Sequence, residues 1–203
     1  GAECDLSAAD GTVTVRGIHP AATDVALRGD VSSQYVSGLL LSGPLYRHGL
    51  KLALETPLVS RRYVDMTRAC MSAFGIEVEA APDGGSFLVP AGNYVPTSYH
   101  VEGDWSAAAA LLAVGAATGA VSVLGISPFS LQADVVMLDI LDNCGAAVDR
   151  RGDRIDVTRA AIRAFDTDIS GAIDLLPVAM ALGAVAPGAS TLRGTARARD
   201  KES

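Results

Sequence analysis

Strand-like and helix-like runs alternate along almost the whole chain, and few folds accept that order. TVTVRG (12–17) and TDVALRG (23–29) alternate apolar and polar residues as strands do, SQYVSGLLLSG reads as a helix, and LKLALE (50–55) returns to strand. YVDMTRACMSAFG (63–75) follows as a helix with Met66, Cys70, Met71 and Phe74 on one face and Gly75 as its C-cap. IEVEAAPDGGSFLVP then turns on Pro-Asp-Gly-Gly as a hairpin, and TSYHVEGD reads as a strand. The second half repeats the plan: helix SAAAALLAVGAA, strand AVSVLG, helix QADVVMLDILDNCG, hairpin AAVDRRGDRIDVT, helix IDLLPVAMALGAVA and strand STLRG. This order describes an α/β (α+β) chain built from repeated modules of strand, helix, strand, helix and hairpin.

An internal repeat supports the modules. GDVSSQYVSGLL (29–40) resembles GDWSAAAALLAV (103–114), each a Gly-Asp-x-Ser before a helix, and GAVSVLG (119–125) resembles GASTLRG (188–194). Units of about 70 residues with one internal order imply repeated βαβαββ modules. The break between two sets falls in YVPTSYHVEGD, where proline and polar residues interrupt the pattern. The chain starts without an initiator methionine and stops at RARDKES without a closing element, which reads as a piece of a longer polypeptide.

Composition removes several function classes. With 203 residues, 49% hydrophobic and 19% charged, the chain is globular rather than disordered. A formal charge of −7 repels phosphate backbones and argues against a nucleic-acid binder. No apolar run approaches about 18 residues and no basic-then-apolar leader opens the chain, so a cytoplasmic protein without a membrane partner is expected. Cys4, Cys70 and Cys144 lack metal-ligand spacing and read as reduced thiols, and His19, His48 and His100 are dispersed. Neither a metal nor an organic cofactor is expected.

The stretch RGDVSSQYVSGLLLSG (28–43) opens a helix on three polar side chains, Ser32, Ser33 and Gln34. The first turn of a helix offers unpaired N–H groups and the positive end of its dipole, and hydroxyls there add donors that can wrap a phosphate. The plainer reading makes Ser32 an N-cap and the other two solvated first-turn residues. Spacing alone leaves both open and favours the plainer one.

Five segments, taken in order, resemble the 5-enolpyruvylshikimate-3-phosphate synthase family: GDVSSQYVSGLLLSGPL, LVSRRYVDMTRACMSAFGIEVE, YHVEGDWSAAAALLAVGAATGAVSVLGI, LQADVVMLDILDNCGAAV and IDLLPVAMALGAVAPGASTLRGTARARDKES. The resemblance covers nearly the whole chain. It implies the enolpyruvyl transferase fold, a two-domain inside-out α/β barrel of βαβαββ modules, here partial. Residues 1–101 would be the later part of the first, shikimate-3-phosphate-binding domain, and 102–203 the earlier part of the second.

Residue by residue, the resemblance implies that Ser32 and Ser33 hold the phosphate of shikimate 3-phosphate and Gln34 its ring side. Ser60 would add a hydroxyl to the phosphate and Tyr63 would line the pocket. Asp174 would meet the shikimate hydroxyls as base or orienter. Lys201 and Glu202 would handle protons and charge around the enolpyruvyl group taken from phosphoenolpyruvate. Read without the resemblance, Asp174 is a first-turn acid favoured by the helix dipole, Tyr63 a half-buried helix-start residue, and Lys201 and Glu202 part of a solvated charged tail. The complete enzyme is expected to be a monomer, and this chain to pair with complementary segments.

Departures from the family pattern are visible. Arg62 in SRRY stands where the family often has proline, and Ala107 where a second serine is common. The family's N-terminal lysine-serine motif, its glycine-rich asparagine motif, the arginine loop that grips phosphoenolpyruvate and the Asp-His-Arg segment are not in this sequence. This chain alone is therefore expected to be inactive. The related transferase acting on UDP-N-acetylglucosamine fits DVSSQ and RARDKES less well. Two other readings are a non-catalytic module that binds an anionic sugar phosphate, separated from the enzyme by its indifference to phosphoenolpyruvate, and an RNA 3′-phosphate cyclase-like protein, disfavoured by the acidic charge.

Overall fold

A computed structural model describes residues 3–17 and 23–200. The chain divides into two compact units, Gly1–Tyr99 and His100–Ser203, and each is treated by itself.

The first unit opens with a two-stranded antiparallel ribbon, β1 (Glu3–Ser7) and β2 (Thr12–Arg16), with Leu6 opposite Val13 and Cys4 opposite Val15. Strand alternation therefore gathers Cys4, Leu6, Val13 and Val15 on one face and Glu3, Asp5, Thr14 and Arg16 on the other. Arg16 Nη1 meets Asp5 Oδ2 at 2.6 Å on the polar face, while Leu6, Val13 and Val15 are exposed.

Next come β3 (Asp24–Leu27), α1 (Ser33–Ser42), β4 (Leu50–Leu54), α2 (Arg61–Ala73), β5 (Glu79–Ala80) and β6 (Ser86–Val89). The sheet runs β3-β4-β6-β5, with β3 and β4 parallel and the other pairs antiparallel. Alternation sends Leu50, Leu52, Phe87 and Val89 inward, where they pack with Val36 and Leu40 of α1 and Val64 and Met71 of α2. Leu40 and Leu50 are wholly buried; replacing such a leucine by alanine costs about 2–5 kcal/mol. The order is the module expected from the sequence.

In the second unit α3 (Trp105–Thr118), β7 (Ala120–Leu124), α4 (Met137–Cys144), β8 (Ala147–Arg151) and β9 (Arg154–Thr158) repeat the plan from its first helix onward. The sheet is β7-β9-β8, wholly antiparallel. A third turn follows with β10 (Asp166–Asp168), α5 (Leu176–Val185) and β11 (Thr191–Arg193), the two strands parallel. Trp105, Leu112, Met137, Ile140, Leu141 and Ile155 form the buried centre.

Two expectations are corrected, and two strands lie where none was expected. TSYHVEGD is not a strand: residues 97–104 carry no regular structure and 97–101 are exposed. Pro96 removes a ladder donor just before it, and the backbone bond Gly103 N to Gly125 O, at 2.7 Å, ties it to the end of β7 without a ladder. The α2 face is rotated: Val64 and Met71 are buried and Met66 is exposed, because the side of the helix that meets α1 and the sheet is set by the sheet rather than by the apolar count. β1 and β10 were not anticipated. CDLS and DTD have too few apolar residues to show a strand period, and both form because a partner strand supplies the ladder.

Candidate functional site

Because β3 and β4 are parallel, the helices that follow them both begin beyond the same sheet edge. Ser32 is the N-cap of α1, in extended backbone, and its hydroxyl accepts from Gln34 N at 3.2 Å. The capping role is thus real. Ser33, first residue of the helix, is only 7% exposed, whereas Gln34 is exposed. α1 carries no acidic residue in its first turn.

Ser60 occupies the corresponding place before α2. It sits at φ 51°, ψ 46°, the one non-glycine residue with positive φ among the described residues, and its hydroxyl does not cap the helix. A serine held in the left-handed region costs about 1–2 kcal/mol, a cost typical of residues held for a binding role. Tyr63 lies one turn further on and is half-buried.

The two loops are clamped together. Val59 N donates to Gly29 O at 3.0 Å, and Gly29 N and Asp30 N donate to Thr56 Oγ1 at 2.9 and 3.2 Å. Thr56 Oγ1 donates in turn to Asp30 Oδ1 at 2.9 Å. Arg28 grips the same carboxylate through Nε at 2.9 Å and Nη2 at 2.7 Å. These contacts, the Arg28 bonds first and Thr56 second, hold the Asp30 carboxyl well below the usual carboxylate range. Gly29 is required here, since a Cβ would stand 2.7 Å from Thr56 O. Deeper down, Ser37 Oγ and Thr67 Oγ1 share a hydrogen bond of 2.8 Å across the helix pair. Sequence reading missed Thr56, Arg28 and Asp30; Asp30 lies in the Gly-Asp-x-Ser repeat, but nothing in the sequence marks Thr56 as its partner.

The same edge in the second unit is closed by the chain's own carboxylates. Asp104 caps α3, accepting from Ser106 N at 2.9 Å, and Ser106 Oγ bonds Asp134 Oδ2. Glu102 accepts from Ser127 N at 3.0 Å, Ser130 Oγ at 2.7 Å and Gln132 Nε2 at 3.0 Å. Glu102 and Asp134 add two acids to this edge beyond Asp104, the counterpart of Asp30 in the repeat, and make it hostile to an anion.

Asp174 lies in a 3-10 turn, Ile173–Leu175, that leads into α5, and it is exposed. Since β10 and β11 are parallel, that turn and the turn Ala196–Asp200 leave one sheet edge. Ile169 N to Arg193 O, at 3.0 Å, ties their loops. Lys201 and Glu202 follow the second turn and lie outside the described residues, as does His19. The structure thus brings together Ser32, Ser33, Gln34, Ser60 and Tyr63 in one unit and places Asp174 in the other. Arg61 and Arg62 occupy the first two positions of α2, so the edge joins two positive dipole ends to hydroxyls and guanidinium groups: an anion site in its chemistry.

The family model described as EPSP synthase (3-phosphoshikimate 1-carboxyvinyltransferase) matches residues 1–203. The 3-phosphoshikimate 1-carboxyvinyltransferase of Methanocorpusculum labreanum is 44% identical over 181 residues, covering 89% of this chain and 42% of that protein. That of Dehalococcoides mccartyi is 37% identical over 192 residues, covering 95% of this chain and 46% of that protein. Among solved structures, an EPSP synthase from Acinetobacter baumannii superimposes with a TM-score of 0.74 at 25% identity, covering 100% of this chain and 48% of that one. The chain spans about half the length of the curated relatives it matches.

Proposed function

The chain belongs to the EPSP synthase (3-phosphoshikimate 1-carboxyvinyltransferase) family, and from that premise we propose that the helix-start edge of its first unit holds shikimate 3-phosphate for enolpyruvyl transfer. The observation that carries the reading is the clamped pair of helix starts, with Ser33 buried at one and Ser60 held in the left-handed region at the other. Ser32, Ser33 and Ser60 bind the phosphate, Gln34 the ring side, and Tyr63 lines the pocket. Residues 1–101 act as the later part of the shikimate-3-phosphate-binding domain and 102–203 as the earlier part of the second.

In the whole protein the 5-hydroxyl oxygen of shikimate 3-phosphate attacks C2 of phosphoenolpyruvate while C3 gains a proton. The tetrahedral intermediate then loses phosphate from C2 and a proton from C3, giving 5-enolpyruvylshikimate 3-phosphate. Each proton movement needs a positioned group. Asp174 orients or deprotonates the hydroxyl, Lys201 exchanges the hydroxyl proton and offsets phosphate charge, and Glu202 exchanges the methyl proton. No cofactor enters this scheme. The whole enzyme works as a cytoplasmic monomer on these two small substrates, without a nucleic-acid or membrane partner.

The chain pairs with complementary segments before it turns over. Supporting this, α3 and α5 carry no charged residue, yet Leu111, Val114, Met180 and Val185 are exposed, as is the apolar face of the β1–β2 ribbon. Helices apolar on every side are covered in a finished fold.

Calorimetric titration with shikimate 3-phosphate tests the site. Saturable binding that Ser32→Ala/Ser33→Ala abolishes is expected; an unchanged affinity in that double variant, with the fold intact by circular dichroism, contradicts the reading.

A further inference from the structure

We propose that Arg28 and Thr56 are positioning residues of this site: by holding the carboxylate of Asp30 between them they keep it from capping α1, so that the helix opens on the neutral hydroxyl of Ser32. The inference rests on the anion-site reading above and adds two residues to it.

The second unit supplies the comparison. RGDVSS (28–33) and EGDWSA (102–107) are the same stretch of the repeat, and their glycines meet the same constraint. A Cβ on Gly29 would stand 2.7 Å from Thr56 O, and one on Gly103 would stand 2.8 Å from Gly125 O. Yet the two helices begin at different places. After Gly103 the N-cap is Asp104, whose carboxylate accepts from Ser106 N at 2.9 Å, and α3 starts at Trp105. After Gly29 the N-cap is Ser32, whose hydroxyl accepts from Gln34 N at 3.2 Å, and α1 starts at Ser33, two positions later in the repeat. Aspartate and serine cap helices about equally well, so residue preference does not explain the shift.

The neighbours explain it. Arg28 takes both oxygens of Asp30, through Nε at 2.9 Å and Nη2 at 2.7 Å. Thr56 Oγ1 donates to Oδ1 at 2.9 Å while accepting from Gly29 N and Asp30 N, which fixes the backbone of the turn as well as the side chain. In the second unit Glu102 stands where Arg28 stands in the first. An acid cannot hold a carboxylate, and Glu102 accepts from Ser127 N, Ser130 Oγ and Gln132 Nε2 instead. Asp104 is left to cap α3. A carboxylate at the cap occupies a first-turn amide and offsets the positive end of the dipole, the two features that suit such a turn to a phosphate. Capture of Asp30 leaves both features of α1 in place.

Carbon chemical shifts of the isotopically labelled 203-residue chain read the helix start without ligand, and titration with shikimate 3-phosphate reads its consequence. In Arg28→Ala/Thr56→Val, Val31 and Ser32 should take helical shifts as Asp30 turns to cap α1. Affinity should fall roughly tenfold at low salt and less at high salt, where the acid is screened. Adding Asp30→Ala should return the start to Ser33 and restore most of the affinity, a rescue that mere damage to the loops does not allow. Arg28→Ala alone keeps the Thr56 bonds and should move the same shifts part of the way, which decides the matter if the double variant does not fold. Unchanged shifts at Val31 and Ser32 in a folded Arg28→Ala chain overturn the role of Arg28 and Thr56 and leave the site standing. So do a moved helix start with wild-type affinity and an affinity loss that Asp30→Ala does not repair. A folded wild-type chain that does not bind shikimate 3-phosphate overturns the anion-site reading and the positioning role with it.

Discussion

At the scale of residues, the site depends on a few side chains whose states are fixed by neighbours. The Asp30 carboxyl is held below the usual range by Arg28 and Thr56, so the folded chain releases its proton at lower pH than the unfolded one. Its stabilising contribution is therefore complete above the ordinary carboxylate range and is lost progressively as pH falls from that range toward the depressed value. Urea denaturation from pH 7 to 3 should show Asp30→Asn destabilised relative to wild type near neutrality, with the gap narrowing in acid. Cys144 behaves oppositely: burial pushes its thiol up, so the native state disfavours the thiolate and loses stability as pH climbs above the usual thiol range. Alkylation of the native chain at pH 8 should label exposed Cys4 quickly and leave buried Cys144 unmodified until unfolding, which peptide mass spectrometry reads directly.

At the scale of elements, the helix starts were legible and their strain was not. Ser32, Ser33 and Gln34 showed themselves because three polar residues before an apolar run are more than a cap needs. Ser60 showed only through family resemblance, since a left-handed serine leaves no mark in its sequence neighbourhood. Ser60→Gly should stabilise the fold by about 1 kcal/mol, because glycine accepts that backbone freely, while weakening shikimate 3-phosphate binding through the lost hydroxyl. Denaturant melts and calorimetry on one variant would show the two effects moving in opposite directions. The strand misread at TSYHVEGD has a matching physical origin. Alternation describes the willingness of a segment to pair, and residues 97–101 join none of the sheets. β10 is the converse, a segment without a pattern that pairs because β11 is beside it.

At the scale of the whole molecule, the two units use one plan for different ends. Gly29 and Gly103 stand at equivalent places in the repeat, and a Cβ on either would stand within 3 Å of a backbone oxygen, at Thr56 and Gly125. The edge beyond them carries Arg61, Arg62 and an Asp30 paired with Arg28 in the first unit, and Glu102, Asp104 and Asp134 in the second. The repeat was visible in Gly-Asp-x-Ser; the divergence was not, because Glu102 and Asp134 act through contacts across about 30 residues of sequence. The uncovered apolar faces of α3 and α5 predict that the chain by itself binds the dye ANS and associates at micromolar concentration. Light scattering coupled to gel filtration should show a mass above 20.8 kDa, falling when charged residues replace Leu111 and Met180.

The most direct measurement is the amide spectrum of the isotopically labelled chain as shikimate 3-phosphate is added. The anion site predicts saturable shifts concentrated in Ser32–Tyr35 and Ser60–Tyr63, the two clamped helix starts, with little change at Asp104–Ala107. Saturation with shifts clustered around α3, or a folded chain whose two helix starts do not move at all, would contradict the account.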